Sequence, residues 1–169
     1  MAYLDQLDRV RRALKKLENL GTVIATENVT IPADKQMDYV DALHAYFQYA
    51  WHLKDWIKND DAAPATLRAA VRRMETEQDW INSLMLCADV ANGSKHFRLT
   101  RNSRLDAKMQ AQIMIRIVDQ VFDKNQGSTS VGFSYQIVEP SGTTYDALDL
   151  ARQSLSDWEN LITSNGGTI

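Results

Sequence analysis

The sequence predicts a mainly α-helical fold: a helical bundle with one antiparallel β-hairpin inserted before its C-terminal helix. Three observations lead to it. Apolar residues recur at spacings of three and four through most of the chain, the period drops to two between about residues 108 and 139, and helical spacing returns after Pro140-Ser141-Gly142. With 169 residues, one domain spanning 1–169 can bury roughly 70% of the surface its unfolded chain would expose.

The first helix follows from Tyr3, Leu7, Val10, Leu14 and Leu17, which alternate spacings of four and three and form one narrow stripe ending near Gly21. Arg9, Arg11, Arg12, Lys15 and Lys16 fill the rest of that surface. A stripe this narrow wants a partner helix, from the same fold or from another subunit. Residues 22–32 read as extended or irregular. Asp34 is placed to cap a second helix over about 35–58, whose Tyr39, Leu43, Tyr46, Phe47, Tyr49, Trp51, Leu53, Trp56 and Ile57 cover nearly its whole circumference. Such a helix belongs inside a bundle or at a subunit interface. Asn59-Asp60-Asp61 ends it, and Pro64 suits the first turn of a third helix.

Leu67, Ala70, Val71 and Met74 give the third helix its core face, and the polar run Glu75-Thr76-Glu77-Gln78-Asp79 predicts a break. Asp79 is then the expected cap of a fourth helix from Trp80 to about Asn92, burying Ile81, Leu84, Met85, Ala88 and Ala91, with Asn92-Gly93 as its stop. Met109, Ala111, Ile113, Ile115 and Ile117 alternate with polar neighbours, and Val131, Phe133, Tyr135 and Ile137 repeat the pattern around the turn Asn125-Gln126-Gly127-Ser128. Residues 118–123 read as a bulge or a short helical turn. Thr143 or Thr144 starts a last helix with Leu148, Ala151, Leu155, Trp158 and Ile162 on one face.

The single cysteine, Cys87, lies in an apolar run and has no internal disulfide partner. The amino terminus lacks the charged and apolar regions of a signal peptide, and no apolar run approaches the ~20 residues of a membrane span. These features predict a cytoplasmic protein without membrane insertion. A formal net charge of −3 argues against nonspecific coating of nucleic acid. The charge is unevenly placed, however: Lys95, Arg98, Arg101, Arg104 and Lys108 stand against one acid, Asp106, leaving +4 there and −7 elsewhere. Such a stretch is either a solvated basic loop or a local anion site that binds substrate through Arg98, Arg101 and Arg104.

Two segments could carry chemistry. Asn92, Lys95 and His96 end the fourth helix, where Asp89, Asn92 and His96 share one stripe if the helix continues. His52 and Asp55, three apart on the second helix, share a face there. An imidazole with nearby carboxylate, amide and ammonium groups can move protons near neutral pH. Antiparallel packing of the two helices would bring the segments together. The plainer readings are a helix C-terminal cation for His96, a helix-ending residue for Asn92 and a structural pair for His52 with Asp55. His44 reads as structural. His52, Asp55, Asp89 and His96 are also the residue types of a metal site, but without tight ligand spacing, so no metal is expected. Neither a Gly-rich phosphate loop, a nucleophile elbow nor a paired-cysteine pattern is present, and no cofactor is expected.

The segments Trp51-His52-Leu53-Lys54-Asp55-Trp56 and Cys87-Ala88-Asp89-Val90-Ala91-Asn92-Gly93-Ser94-Lys95-His96-Phe97 resemble those of small bacterial and phage proteins, and their helical pairing is similar to HEPN domains over about residues 36–97. That resemblance implies a compact helical bundle that dimerises, and a metal-independent endoribonuclease of the kind found in toxin–antitoxin and phage-defence systems. The family signature is an arginine, a polar residue, then a histidine four to six residues further on. Asn92 and His96 match it, whereas Ala91 stands where the arginine belongs. Under the resemblance, His96 acts as general base or acid on a ribose 2′-hydroxyl, Lys95 stabilises charge on the phosphate in place of the missing guanidinium, and Asn92 orients one of them. His52 and Asp55 complete the implied catalytic group, and the partners are a second copy of the chain and RNA or a nucleotide. The alternative is a noncatalytic oligomeric interaction module with a degenerate site, in which the aromatic second helix and the first helix's stripe contact a subunit or partner protein.

Overall fold

Five helices and a small antiparallel sheet make up the computed structural model, which describes residues 1–20, 22–26, 33–93, 112–123, 128–138 and 142–169. The order is α1 (Ala2–Asn19), β1 (Thr22–Thr26), α2 (Ala33–Asn59), α3 (Ala65–Glu77), α4 (Asn82–Gly93), β2 (Gln112–Asp123), β3 (Ser128–Val138), β4 (Thr144–Asp146) and α5 (Ala147–Ser164). The fold is mainly helical with a β-hairpin before the C-terminal helix, as the periodicities require.

Helix α1 buries Tyr3, Leu7, Val10, Leu14 and Leu17 against α2 and α5. The narrow stripe is therefore satisfied within the chain. Its amino-terminal turn is capped from a distance, since the Tyr3 N–H donates to Asp60 Oδ2 at 3.1 Å. Asp60, at the end of α2, also accepts from the Ala62 N–H at 2.9 Å. The bond from the Tyr3 N–H does most to hold its carboxyl below the usual carboxylate range, against burial, which pushes it up, and the Ala62 bond adds to it. Helix α2 already includes Ala33, so Asp34 lies inside it rather than at its cap. Along its length Tyr39, Leu43, Tyr46, Phe47, Ala50, Trp51, Leu53 and Ile57 are buried, as a central helix requires.

The break expected after Met74 is real. Helix α3 ends where Gln78 takes a left-handed backbone conformation, φ 56°. The next helix starts later than expected: Ile81, not Asp79, supplies the carbonyl that opens α4, accepting from Leu84 and Met85. Ile81 consequently lies outside the helix and is exposed, whereas Leu84, Leu86, Cys87, Ala88, Asp89, Val90 and Ala91 are all buried. α4 is packed on almost every side.

Strand β3 is central in the sheet. It pairs with β2 along one edge and with β1 and β4 at the two ends of the other, in each case antiparallel. The β2–β3 register slips between Ile117 and Asp119, so the expected irregularity is a bulge at Val118, and pairing then continues to Asp123. The extended stretch after Gly21 becomes β1. The threonines expected to start the last helix instead belong to β4, and Asp146 caps α5, accepting from Leu148 N at 2.9 Å and Asp149 N at 3.0 Å. The portion of the hairpin expected over 108–111 lies outside the described residues.

Two apolar clusters fill the interior. One joins the second half of α1, the first half of α2, Leu86, Cys87 and Val90 of α4, the start of α5, and Tyr135 and Ile137 of β3. The other joins the start of α1, the second half of α2, α3, Trp80, Leu84, Ala88 and Ala91, and the end of α5. No helix among the described residues is long and apolar enough to cross a membrane.

Candidate functional site

The register between α2 and α4 decides which candidate residues can meet. Tyr46 bonds through its hydroxyl to Ser154 at 2.8 Å and to the Ala151 carbonyl, and Cys87 lies close to the same Ser154. Tyr46 and Cys87 therefore lie at one level. At another, Trp51 packs on Trp80 with ring centroids 5.0 Å apart, while Ser83 donates to Asp157 at 2.5 Å. As α2 advances from Tyr46 to Trp51, its neighbour regresses from Cys87 toward Trp80, so the helices run antiparallel.

Antiparallel packing is what the sequence reading asked for, but its register does the opposite of what was expected. Asn92 lies five residues beyond the Tyr46–Cys87 level in one direction and His52 six residues beyond it in the other, so at 1.5 Å per residue roughly 16 Å of bundle axis separates them. Asp55 is a further turn away. The described helices do not bring His52 and Asp55 to Asn92. Lys95, His96, Arg98, Arg101 and Arg104 lie outside the described residues.

His52 is half-buried between the buried Trp51 and Leu53. Asp55 belongs to a four-charge cluster joining α2 to α3. Lys54 Nζ lies 2.6 Å from Asp55 and 3.2 Å from Glu75, and Lys58 Nζ lies 3.0 Å from Asp55 and 2.6 Å from Glu75. Burial alone would push both carboxyls up, but hydrogen bonds from the two lysines outweigh it and hold Asp55 and Glu75 below their ordinary ranges. For Lys58 burial likewise opposes the charge, and its bonds to Glu75 and Asp55 raise it. Lys54 is itself buried, with its ammonium 4.8 Å from the centroid of the Trp51 ring. A carboxylate held ionised by two ammonium groups is a poor proton acceptor.

Position 91 is equally informative. Where the HEPN signature has its arginine, Ala91 is 1% exposed and packs in the cluster with Trp51, Leu84 and Ala88. A guanidinium there would enter the core. Asp89 is also buried, at 2% exposure, whereas Asn92 on the last described turn of α4 is half-buried. Cys87 is fully enclosed, and burial pushes its thiol up to about 12, which removes it as a nucleophile near neutral pH. Among the described residues no three metal-ligating side chains converge.

Two concave surfaces had no part in the sequence reading. A cleft of about 620 Å³ between the start of α4, β4 and α5 is lined by Asp146, Asp149 and Asp157 beside Ile81 and Tyr145. A groove of about 550 Å³ between α1 and α2 carries Arg9, Arg12 and Lys16 opposite Asp41 and Tyr49. The cations of the second were visible as the polar face of α1, but the groove needs α2 to form its other wall. No family model, curated protein or solved structure matches the chain.

Proposed function

We propose that this chain is a HEPN-like helical module that binds RNA without cutting it, through Asn92 on α4 and, following α4 in the sequence, Lys95 and His96 together with Arg98, Arg101 and Arg104. The observation that carries this reading is how the fold divides its apolar and charged surfaces. The stripe of α1 and the aromatics of α2 other than Tyr49, which could have met a subunit or a partner protein, are buried or half-buried among the chain's own helices. Among the described residues the large hydrophobic side chains left exposed are scattered: Met1, Tyr49, Ile81 and Ile169. An apolar interaction module finds no broad exposed apolar face among the described residues, whereas the sequence concentrates five cations against one acid just beyond α4.

The noncatalytic half of the proposal rests on Ala91. Its burial leaves no room for the guanidinium that the signature uses on the phosphate, and a lysine at 95 lacks the planar fork. The register adds to it, because His52 and Asp55 stand too far along the bundle to share a proton relay with Asn92. Dimerisation is not needed for binding of this kind.

Fluorescence anisotropy with a labelled single-stranded RNA, in the presence of a chelator, tests the reading. The native protein binds, with a steep salt dependence, and reversing Arg98, Arg101 and Arg104 to Glu weakens binding at least about tenfold and flattens the salt slope by about two. The RNA is recovered intact. Cleavage in chelator that disappears in His96→Ala would overturn the noncatalytic half, and failure of the native protein to bind any RNA would overturn the whole.

A further inference from the structure

The groove between α1 and α2 has the makings of a second contact with RNA, and its features arise from the sequence in steps. Ala13 on α1 faces Ala42 and Ala45 on α2, so small side chains at the crossing leave a concave floor. Arg9, Arg12 and Lys16 are spaced three and four apart and stand along one rim, all three exposed. Over seven residues they span about 10 Å of helix, long enough to follow two or three consecutive phosphates of a single strand, whose charges recur every ~3.4 Å of duplex rise and farther apart when the strand is extended.

Their state distinguishes them from Arg11 on the same helix. Arg11 is engaged, with Nε 2.9 Å and Nη2 2.6 Å from Glu159. Arg9 lies 5.2 Å from the centroid of the Trp56 ring, which holds its guanidinium along the groove's end without neutralising it. Arg12 and Lys16 make no ion pair among the described residues. The facing wall brings one acid, Asp41, and one aromatic ring, Tyr49. Tyr49 is 38% exposed although most of its aromatic neighbours on α2 are buried, and its own backbone carbonyl is fixed by Gln6 Nε2 at 2.9 Å. A ring held out of the core beside a row of free cations is the arrangement that takes a base by stacking while the cations take the backbone.

We propose that this groove binds a single RNA strand, with Arg12, Lys16 and Arg9 on successive phosphates and Tyr49 stacked on a base. The proposal rests on the RNA-binding reading above and extends it to a face that the sequence motifs do not touch. Asp41 works against it locally, and that gives the groove a substitution that strengthens binding. The concave shape and the exposed ring favour a nucleic-acid strand over an acidic peptide, for which stacking has no value.

The test uses the full chain and anisotropy with labelled oligoadenylate and oligouridylate. Three variants carry it: Arg12→Glu with Lys16→Glu, Asp41→Asn, and Tyr49→Ser, each checked by thermal melting for an intact fold. Charge reversal at Arg12 and Lys16 weakens binding about tenfold or more and reduces the magnitude of the salt slope by about 1.4, two contacts at ~0.7 each. Asp41→Asn tightens binding severalfold. Tyr49→Ser weakens oligoadenylate binding by about fivefold or more, and more than that of oligouridylate, since purines stack better. Unchanged affinity in the Arg12/Lys16 variant, in a protein whose binding is lost on reversal of Arg98, Arg101 and Arg104, overturns the groove and leaves the RNA-binding reading standing. Full competition by polyglutamate with no effect of Tyr49→Ser also overturns it, because the groove is then a general anion patch. A native protein that binds no RNA overturns both.

Discussion

Single positions show how little latitude the interior leaves. His44 sits half-buried on α2, and its Nδ1 is enclosed without a hydrogen-bond partner among the described residues. Burial holds its ring below the ordinary imidazole range, against the opposing pull of Asp41. The unfolded chain takes up that proton near pH 6.5, while the folded form resists until a lower pH. Protons therefore favour the unfolded state in this window, and stability falls as pH drops below about 6.5. The expected outcome is a urea midpoint that declines between pH 7.5 and 5.5 in the native protein and declines less in His44→Gln. The difference corresponds to a fraction of the ~1.4 kcal/mol per pH unit that a single proton can contribute. Equal declines in both proteins would mean that His44 is not the group responsible. Position 91 makes the complementary point. Ala91 could be read from the sequence as a departure from a signature, but that the departure points into the core, where arginine could not sit, required the burial of Ala91 within the second apolar cluster.

At the scale of elements, the α2–α3 junction is held by charge as much as by apolar contact. Glu75 bridges from α3 to both Lys54 and Lys58, and its side chain is 29% exposed. Glu75→Gln keeps the shape but leaves two ammonium groups facing the single carboxylate of Asp55. Losing charge-assisted bonds in a partly buried setting costs about 1–2 kcal/mol, or a fall of roughly 2–8 °C in Tm for a chain of this size. The native cluster also carries a pH signature. Because Asp55 and Glu75 are depressed, their contribution is complete above the ordinary carboxylate range near pH 4 and is lost as pH falls through their lower folded values. Differential scanning calorimetry at pH 7 and pH 3 checks this: the gap in Tm between native protein and Glu75→Gln should narrow at the lower pH. Legibility stops at the same boundary. Lys54, Asp55 and Lys58 lie on one helix and are readable as a local charge cluster, whereas Glu75 joins them only because α3 folds back after Asn59-Asp60-Asp61. The periods that define α1, α2, β2 and β3 are local and were readable. The start of α5 was not, since Thr144 and Tyr145 look like a helix entry until β3 supplies an edge for them to pair with.

Across the whole molecule, two apolar clusters meet along α1, α2, α4 and α5, and among the described residues the sheet joins the first of them. Its described attachment is narrow. Tyr135 and Ile137 of β3 are buried against the bundle, and the Tyr135 ring stacks on Tyr39 with centroids 4.1 Å apart and planes within 12°. Both residues are buried from water, and burial, then Asp146, pushes the Tyr39 hydroxyl up to about 12, while burial raises Tyr135 as well. The stacked pair is thus the point at which the sheet's position is tied to the helix that carries Asp41 and Tyr49. A double-mutant cycle measures that tie. Tyr39→Leu and Tyr135→Leu each remove a ring from the seam and each cost stability, yet the double variant should lose about 0.5–1.5 kcal/mol less than the sum of the two. Strict additivity in chemical denaturation would mean that the rings contribute independently and that the sheet is held mainly by the strand pairing of β3 with β4 and by Ile137. With coupling present, weakening the seam loosens the sheet against α2 first, and amide exchange in β3 should rise in either single variant before exchange in α4 does.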